Sequence, residues 1–99
     1  MKKIPFDTAD FPAISSGVKN LTLRTSKETE RYSPGDVCQV ISYASNVTTA
    51  IRIRINSVIL TSARKLAAEF KDYDLAKLGE DAVERNIPVA VVRFTLISP

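Results

Sequence analysis

The clearest pattern along this chain is the alternation of apolar and polar residues that is typical of half-buried β-strands. Together with a short extended segment near the start, this pattern predicts five strands, which span residues 3–6, 20–25, 37–43, 48–61 and 89–97. In the fourth strand, isoleucines alternate with polar residues, so Arg52 and Arg54 share the face opposite the isoleucines. That face is most simply a solvated surface, and it becomes a binding surface only if it borders a cleft.

Helical spacing and capping residues predict three helices between these strands. The first is capped by Asp7 or Thr8, the second spans 62–70, and the third lies between 72 and 86. Gly17 ends the first helix, because a residue without a Cβ makes a sharp bend at little cost. The order of elements is therefore strand, helix, three strands, two helices, strand.

This order predicts an α+β fold. Three successive strands joined by tight turns favour antiparallel pairing. A small antiparallel sheet tends to curl or close, because closure removes its exposed edges. We therefore expect a single domain over residues 1–99, folded as a small, mostly antiparallel β-barrel with helices covering one side.

The absence of histidine restricts the chemistry more than any other feature of the composition. A Ser-His-Asp or Cys-His catalytic pair cannot form, and a Cys/His zinc site is excluded in the same way. The one cysteine, Cys38, lies in an apolar run and is predicted to be a small core residue rather than a reactive thiol. Catalysis must therefore use lysine, arginine, hydroxyl or carboxylate side chains, and we expect neither a metal nor a cofactor.

The net charge of +3 comes from the first half of the chain. Residues 1–54 hold eight lysines and arginines against five carboxylates, whereas residues 55–99 hold six of each. This balance permits polyanion binding without requiring it, because no run of lysine and arginine exceeds two residues. No apolar stretch has the length of a membrane span or the position of a secretory signal. We expect a cytoplasmic monomer.

The chemically richest segment is 17–24, where a glycine is followed by Lys19, Thr22 and Arg24. The alternation of this strand puts Thr22 and Arg24 on one face and the intervening leucines towards the core. Lys19 can join Thr22 only if the glycine lies in the bend that leads into the strand. A cation and a hydroxyl beside a second cation suit an anionic or carbonyl-bearing ligand. The simpler alternative is that Arg24 pairs with a nearby acid such as Glu28.

Residues 14–24 carry a Gly-x-Lys-x-x-Thr-x-Arg pattern, and residues 32–37 carry an aromatic residue, a turn and a Gly-Asp step into the next strand. Together with residues 91–94 of the final strand, and in this element order, these segments resemble the ASCH family of PUA-like barrels. The first two patterns are moderately specific as a pair, and the order of elements matches over nearly the whole chain.

The resemblance implies a cleft between the sheet and the helices that takes a nucleobase or RNA. Small members of the family look like amidohydrolases that remove the acetyl group from N4-acetylcytidine. By motif position, their lysine and threonine fall on Lys19 and Thr22, and their helical glutamate falls on Glu69, with Glu80 or Glu84 as alternatives. The implied function is hydrolysis of an N4-acylated cytosine nucleoside. The alternative is a non-catalytic module that binds RNA or a nucleotide.

The three residues in implied catalytic roles have complementary chemistry. A threonine hydroxyl becomes an effective nucleophile when a base takes its proton, and without histidine that base must be a lysine or a carboxylate. Arg24 can favour the neutral form of Lys19 or stabilise an oxyanion. Glu69 can donate a proton to the leaving amine of cytosine. Four further residues are predicted to contact a nucleoside or RNA ligand: Arg24, Tyr32, Arg52 and Arg54.

Overall fold

The computed structural model describes residues 1–44, 47–69, 78–79 and 81–99, which form an α+β fold. The strands within these residues are β1 (Lys2–Phe6), β2 (Leu21–Thr25), β3 (Val37–Ser42), β4 (Thr48–Ser62) and β5 (Pro88–Ser98). The helices are α1 (Phe11–Ser15), α2 (Ala63–Glu69) and α3 (Ala82–Arg85), with 3₁₀ turns at Thr8–Asp10 and Glu28–Arg31. All five predicted strands are present. Of the third predicted helix, the structure describes the C-terminal end as α3, whereas Gly79 and Asp81 within the predicted range are not helical, and its predicted opening lies outside the described residues.

The strands form one mixed sheet in the order β1-β3-β4-β5-β2. The pair β1–β3 is parallel and the other neighbouring pairs are antiparallel. The expectation that β2 pairs with the next strand along the chain is wrong, because β2 pairs with β5. The physical reason is that both edges of β3 are occupied, because all five residues of β1 pair with one edge and β4 pairs with the other. Lys2 Nζ adds a contact between β1 and the segment before β3, since it donates to the carbonyl of Arg31 at 2.7 Å and to Asp36 Oδ2 at 2.6 Å.

The sheet is open, with β1 and β2 as its two edges. No backbone ladder joins these edges among the described residues, so closure into a barrel is not confirmed. The sheet nevertheless curls, because Phe6 of β1 and Phe94 of β5 pack in one cluster with their rings edge to face at 5.7 Å. The curl brings the two edge strands close enough for side chains to connect them.

Strand β5 is buried on both faces, which explains its nearly continuous apolar run. Ala90 and Val92 face a large cluster that includes residues of α1, β1, β3 and β4. Val89 and Val91 face a second cluster, in which they pack with residues of α2 and α3 such as Leu66. Each buried valine or leucine stabilises the fold by about 1.5–3 kcal/mol relative to exposure. The sheet is therefore anchored on one side by its own curl and on the other by the helices.

Cys38 is fully buried in the large cluster, as predicted, and burial raises the pKa of its thiol above the ordinary value of 9.0. A buried thiol with a disfavoured thiolate is a poor nucleophile.

Within the part of the chain that the structure describes, no helix has both the length and the apolar character needed to cross a membrane.

Candidate functional site

A tight bend between α1 and β2 positions Lys19. Gly17 has a φ of 79°, a left-handed conformation that residues with a Cβ rarely adopt. The N–H of Gly17 donates to the carbonyl of Ile14 at 3.0 Å, and the N–H of Lys19 donates to the carbonyl of Ala13 at 2.9 Å. The predicted bend at the glycine is confirmed, and it brings half-buried Lys19 to the cavity that Thr22 also lines.

Lys19 and Thr22 share a cavity of about 560 Å³, which we call the first cavity. It lies against the end of β1, the α1–β2 bend and residues 21–24 of β2. Among the described residues, its wall carries two cations and three carboxylates, which are Lys19, Arg24, Asp7, Asp10 and Glu28. This mixed charge suits a neutral polar ligand better than a polyanion. Within the described residues, Lys19 forms no ion pair of 4.0 Å or less.

Arg24 is buried, with 4% of its surface exposed, and the protein itself engages its guanidinium. Nε donates to Thr22 Oγ1 at 3.1 Å, and Nη1 donates to the Tyr43 hydroxyl at 2.9 Å. Nη2 donates to the carbonyl of Pro5 at 2.6 Å, and the guanidinium carbon lies 4.6 Å from the ring centroid of Phe6. Arg24 therefore organises the wall of the first cavity, whereas ligand binding by Arg24 stays a prediction.

The environment of Thr22 leaves its hydroxyl proton available. Thr22 and Arg24 share one face of β2, as predicted, but this is the more buried face: both are buried, whereas Leu21 and Leu23 are half-buried against the second cluster. Thr22 Oγ1 accepts a hydrogen bond from the Arg24 guanidinium, and a hydroxyl that accepts one bond can still donate its own proton. The adjacent positive charge also favours a negative charge developing on Oγ1. The side chain is nearly buried but remains part of the cavity wall.

Glu28 and Tyr43 belong to the site and had no functional assignment from the sequence. Glu28 Oε2 lies 3.9 Å from Arg24 Nη1 and accepts a hydrogen bond from the Tyr43 hydroxyl at 3.4 Å, while Thr25 Oγ1 donates to Oε1 at 3.1 Å. The simple pairing of Arg24 with Glu28, which the spacing of four residues suggested, is present. Burial raises the pKa of the Tyr43 hydroxyl above its ordinary value, partly offset by Arg24. Tyr43 is therefore a neutral donor at physiological pH.

The predicted catalytic glutamate lies away from the described wall of the first cavity. Glu69 is exposed at the end of α2, and exposed Glu84 lies on α3. Neither is among the described residues that line the first cavity, and Glu80 lies outside the described residues. The cavity does border the helical side of the sheet, because Leu23 and Leu78 contribute both to its wall and to the cluster that contains α2. The role of Glu69 stays a prediction.

Tyr32 lines a different hollow, of about 540 Å³, which we call the second cavity. Its hydroxyl donates to the carbonyl of Lys3 at 2.9 Å, and burial raises the pKa of this hydroxyl above 10.0. Arg24 and Glu28 line both cavities and form the partition between them. The structure therefore separates Tyr32 from Lys19 and Thr22 by the Arg24–Glu28 pair.

Arg52 and Arg54 lie on the exposed face of β4, as the alternation predicted. They pair across the sheet with Gln39 and Val37 and line neither of the two cavities. The sequence predicted Arg52 and Arg54 as ligand contacts only if their face bordered the cleft. This condition is therefore not met.

Among the residues that the structure describes, no group of three or more cysteine and carboxylate side chains is placed to hold a metal ion.

Comparison of this chain with family models, with curated proteins and with solved structures found no match. The resemblance to the ASCH family therefore stays a prediction. The site is defined by its own geometry: a lysine at a glycine bend, a threonine oriented by a buried arginine, and carboxylates at the rim of one cavity.

Proposed function

We propose that this protein is an amidohydrolase that removes the acyl group from an N4-acylated cytosine nucleoside in the first cavity. The observation that carries the proposal is that Lys19 and Thr22 line one cavity while Arg24 fixes the orientation of the Thr22 hydroxyl. The cavity volume of about 560 Å³ lies in the range of small-molecule sites. Its mixed charge suits a substrate whose reacting part is a neutral amide.

The proposed reaction is an acyl transfer to Thr22 followed by hydrolysis. Lys19 in its neutral form takes the hydroxyl proton of Thr22 as Oγ1 attacks the acyl carbonyl. The tetrahedral intermediate collapses when the amide C–N bond breaks and a carboxylic acid, assigned to Glu69, protonates the leaving amine. The proton that Lys19 gained is then returned to the Glu69 carboxylate, which restores neutral Lys19 and the carboxylic acid. Lys19 takes a proton from a water molecule as that water attacks the acyl-threonine, and it passes this proton to Thr22 Oγ1 as the acyl C–O bond breaks. The carboxylic acid product leaves, and Thr22, Lys19 and Glu69 are back in their starting forms.

Glu69 is assigned as the acid on the ASCH resemblance, and the described wall of the first cavity does not include it; Glu28, which does line the cavity, already has structural partners. Thr25 and Tyr43 engage one carboxylate oxygen each, and the guanidinium of Arg24 lies beside the second. Glu69 is exposed on α2, whose cluster borders the first cavity. The PUA-like barrel implied by the ASCH resemblance belongs to the same proposal, and the bond from Arg24 to Pro5, which joins the open edges of the sheet, supports it.

The test is incubation of the protein with N4-acetylcytidine and chromatographic measurement of free cytidine. We expect turnover by the unaltered chain, none above background for Lys19→Ala, and unchanged turnover for Lys65→Ala. Lys65 is a matched control because it is exposed on α2 and lines neither cavity. Equal rates for the unaltered chain and Lys19→Ala would exclude the proposal.

A non-catalytic module that binds RNA or a nucleotide is the second candidate. The exposed arginines of β4 favour it, because Arg52 and Arg54 form a cationic face without an ion pair among the described residues. Phosphate contacts would make RNA affinity fall steeply with salt, since binding releases counterions. Salt-dependent RNA affinity that Arg52→Gln weakens, together with no release of cytidine, would favour this candidate.

A further inference from the structure

We infer that the second cavity binds a phosphate monoester group. The cavity lies on the other side of the Arg24–Glu28 pair from Lys19 and has a volume of about 540 Å³. Its polar wall comes from β1 and from the segment that carries the 3₁₀ turn Glu28–Arg31. The inference extends the proposed function from a nucleoside to a nucleotide. It rests on that function only for the identity of the organic part of the ligand.

The charges around the second cavity leave a surplus of positive charge. Lys3, Lys27 and Arg31 line it, and none of them forms an ion pair of 4.0 Å or less with a described residue. Arg24 and Glu28 compensate each other at 3.9 Å, which leaves Glu30 as the one other carboxylate among the wall residues that the structure describes. Three cations against one carboxylate give a surplus of two charges. A phosphate monoester carries about −1.5 to −2 at neutral pH, so its charge matches this surplus.

The three cations extend from two segments that a hydrogen bond connects. Lys27 and Arg31 flank one 3₁₀ turn, which is anchored by buried Thr29, whose hydroxyl donates to the carbonyl of Ser26 at 2.8 Å. Lys3 lies on β1, and its carbonyl accepts the hydrogen bond from Tyr32 that connects β1 to the end of this segment. The backbone positions from which the cations extend are therefore fixed before a ligand binds, which lowers the entropic cost of binding.

The two cavities differ in the charge of their walls, so each favours a different part of a ligand. Three carboxylates in the first cavity repel phosphate, whereas the second cavity offers cations and a partly apolar floor of half-buried Pro5, Tyr32 and Ile41. Because Arg24 and Glu28 line both cavities, one ligand can extend across this partition. The geometry therefore fits a nucleoside part in the first cavity and a phosphate group in the second.

The test is an NMR titration of the intact chain with inorganic phosphate at constant ionic strength. It is combined with calorimetric dissociation constants for cytidine and cytidine 5′-monophosphate. We expect phosphate to shift the amide signals of Lys27, Arg31 and Tyr32, and the monophosphate to bind more tightly than cytidine. Arg31→Gln and Lys27→Gln should each weaken phosphate and monophosphate binding about tenfold, since each removes one charge-assisted contact.

The control is Lys65→Gln, which removes the same charge from exposed α2 and should leave both affinities unchanged. Lys27→Gln and Arg31→Gln keep the main-chain bonds of the segment, and circular dichroism checks that each variant is folded. Phosphate binding without cytidine binding would support this inference and contradict the proposed function. Cytidine binding without phosphate-dependent shifts at the second cavity would overturn this inference and leave the proposed function standing, as would equal affinities for Arg31→Gln and Lys65→Gln.

Discussion

Arg24 Nη2 donates a hydrogen bond of 2.6 Å to the carbonyl of Pro5, and this bond connects the two edge strands of an open sheet. The same guanidinium lies over the ring of Phe6 and orients the hydroxyl of Thr22. One side chain therefore links three properties of the molecule: the curl of the sheet, the position of the candidate nucleophile and the partition between the two cavities.

Replacement of Arg24 should destabilise the protein strongly. Arg24→Ala removes the three hydrogen bonds that Arg24 donates to Pro5, Thr22 and Tyr43, together with a cation–π contact. We therefore expect a loss of about 2–4 kcal/mol in the free energy of unfolding. Urea denaturation measures this loss. The control Arg93→Ala lies at an exposed position of β5 and should change stability by about 0.5 kcal/mol or less. Equal midpoints for the two variants would show that Arg24 does not hold the edges together.

Replacement of Lys19 by arginine should separate binding from turnover. Lys19→Arg keeps the positive charge at the cavity wall, but a guanidinium cannot give up its proton to serve as a base at physiological pH. We expect the variant to bind cytidine with an affinity close to that of the unaltered chain and to lose turnover by a factor of at least about 10². Calorimetry and the cytidine-release assay measure these two quantities. Retained turnover would show that Lys19 is not the base.

The strands and the bend of the site could be predicted because their causes are local. Isoleucine alternation predicted β4, and Gly17 predicted the turn that brings Lys19 into the cavity wall. The α+β class and the mainly antiparallel sheet followed from the order of these elements. Cys38 was predicted as core because an apolar run with no polar partner has little alternative to burial.

The burial of Arg24 could not be predicted, because two of the groups that hold its guanidinium are distant in sequence. Pro5 and Tyr43 each lie nineteen residues from Arg24, and only the curl of the sheet brings them together. A charged residue in a strand also resembles a solvated one until its partners are known. The pairing of β2 with β5 depends likewise on non-local contacts, because β1 and β4 occupy both edges of β3.

Two glutamate variants should distinguish catalysis from support of the site. Glu69→Gln removes the proposed proton donor, so we expect kcat to fall by a factor of about 10²–10⁴ with little change in stability. Glu28→Gln weakens the contacts with Arg24 and Tyr43, so we expect a lower unfolding midpoint and a smaller effect on kcat. Steady-state kinetics and urea denaturation of both variants provide the comparison. The reverse pattern would assign the proton donor to Glu28, which lines the first cavity.

The ion pair between Lys2 and Asp36 should make stability depend on acid pH. The hydrogen bond from Lys2, and then that from the N–H of Ser33, hold the pKa of Asp36 below its ordinary value of 3.8. Because the pKa is lower in the folded state than in the unfolded state, the stabilisation is complete above 3.8 and is lost as the pH falls through the folded-state pKa.

Asp36→Asn keeps an acceptor for the Ser33 N–H and removes the charge, so it isolates this effect. Thermal unfolding midpoints of both chains, measured from neutral pH to below 3.8, should differ at neutral pH and converge in acid. Lys2→Gln should reduce the same difference, because Lys2 is the main cause of the lowered pKa. Parallel curves for the unaltered chain and Asp36→Asn would show that this pair does not couple β1 to β3, and that the parallel pairing of these strands depends on the apolar contacts of Ile4 and Val40 instead.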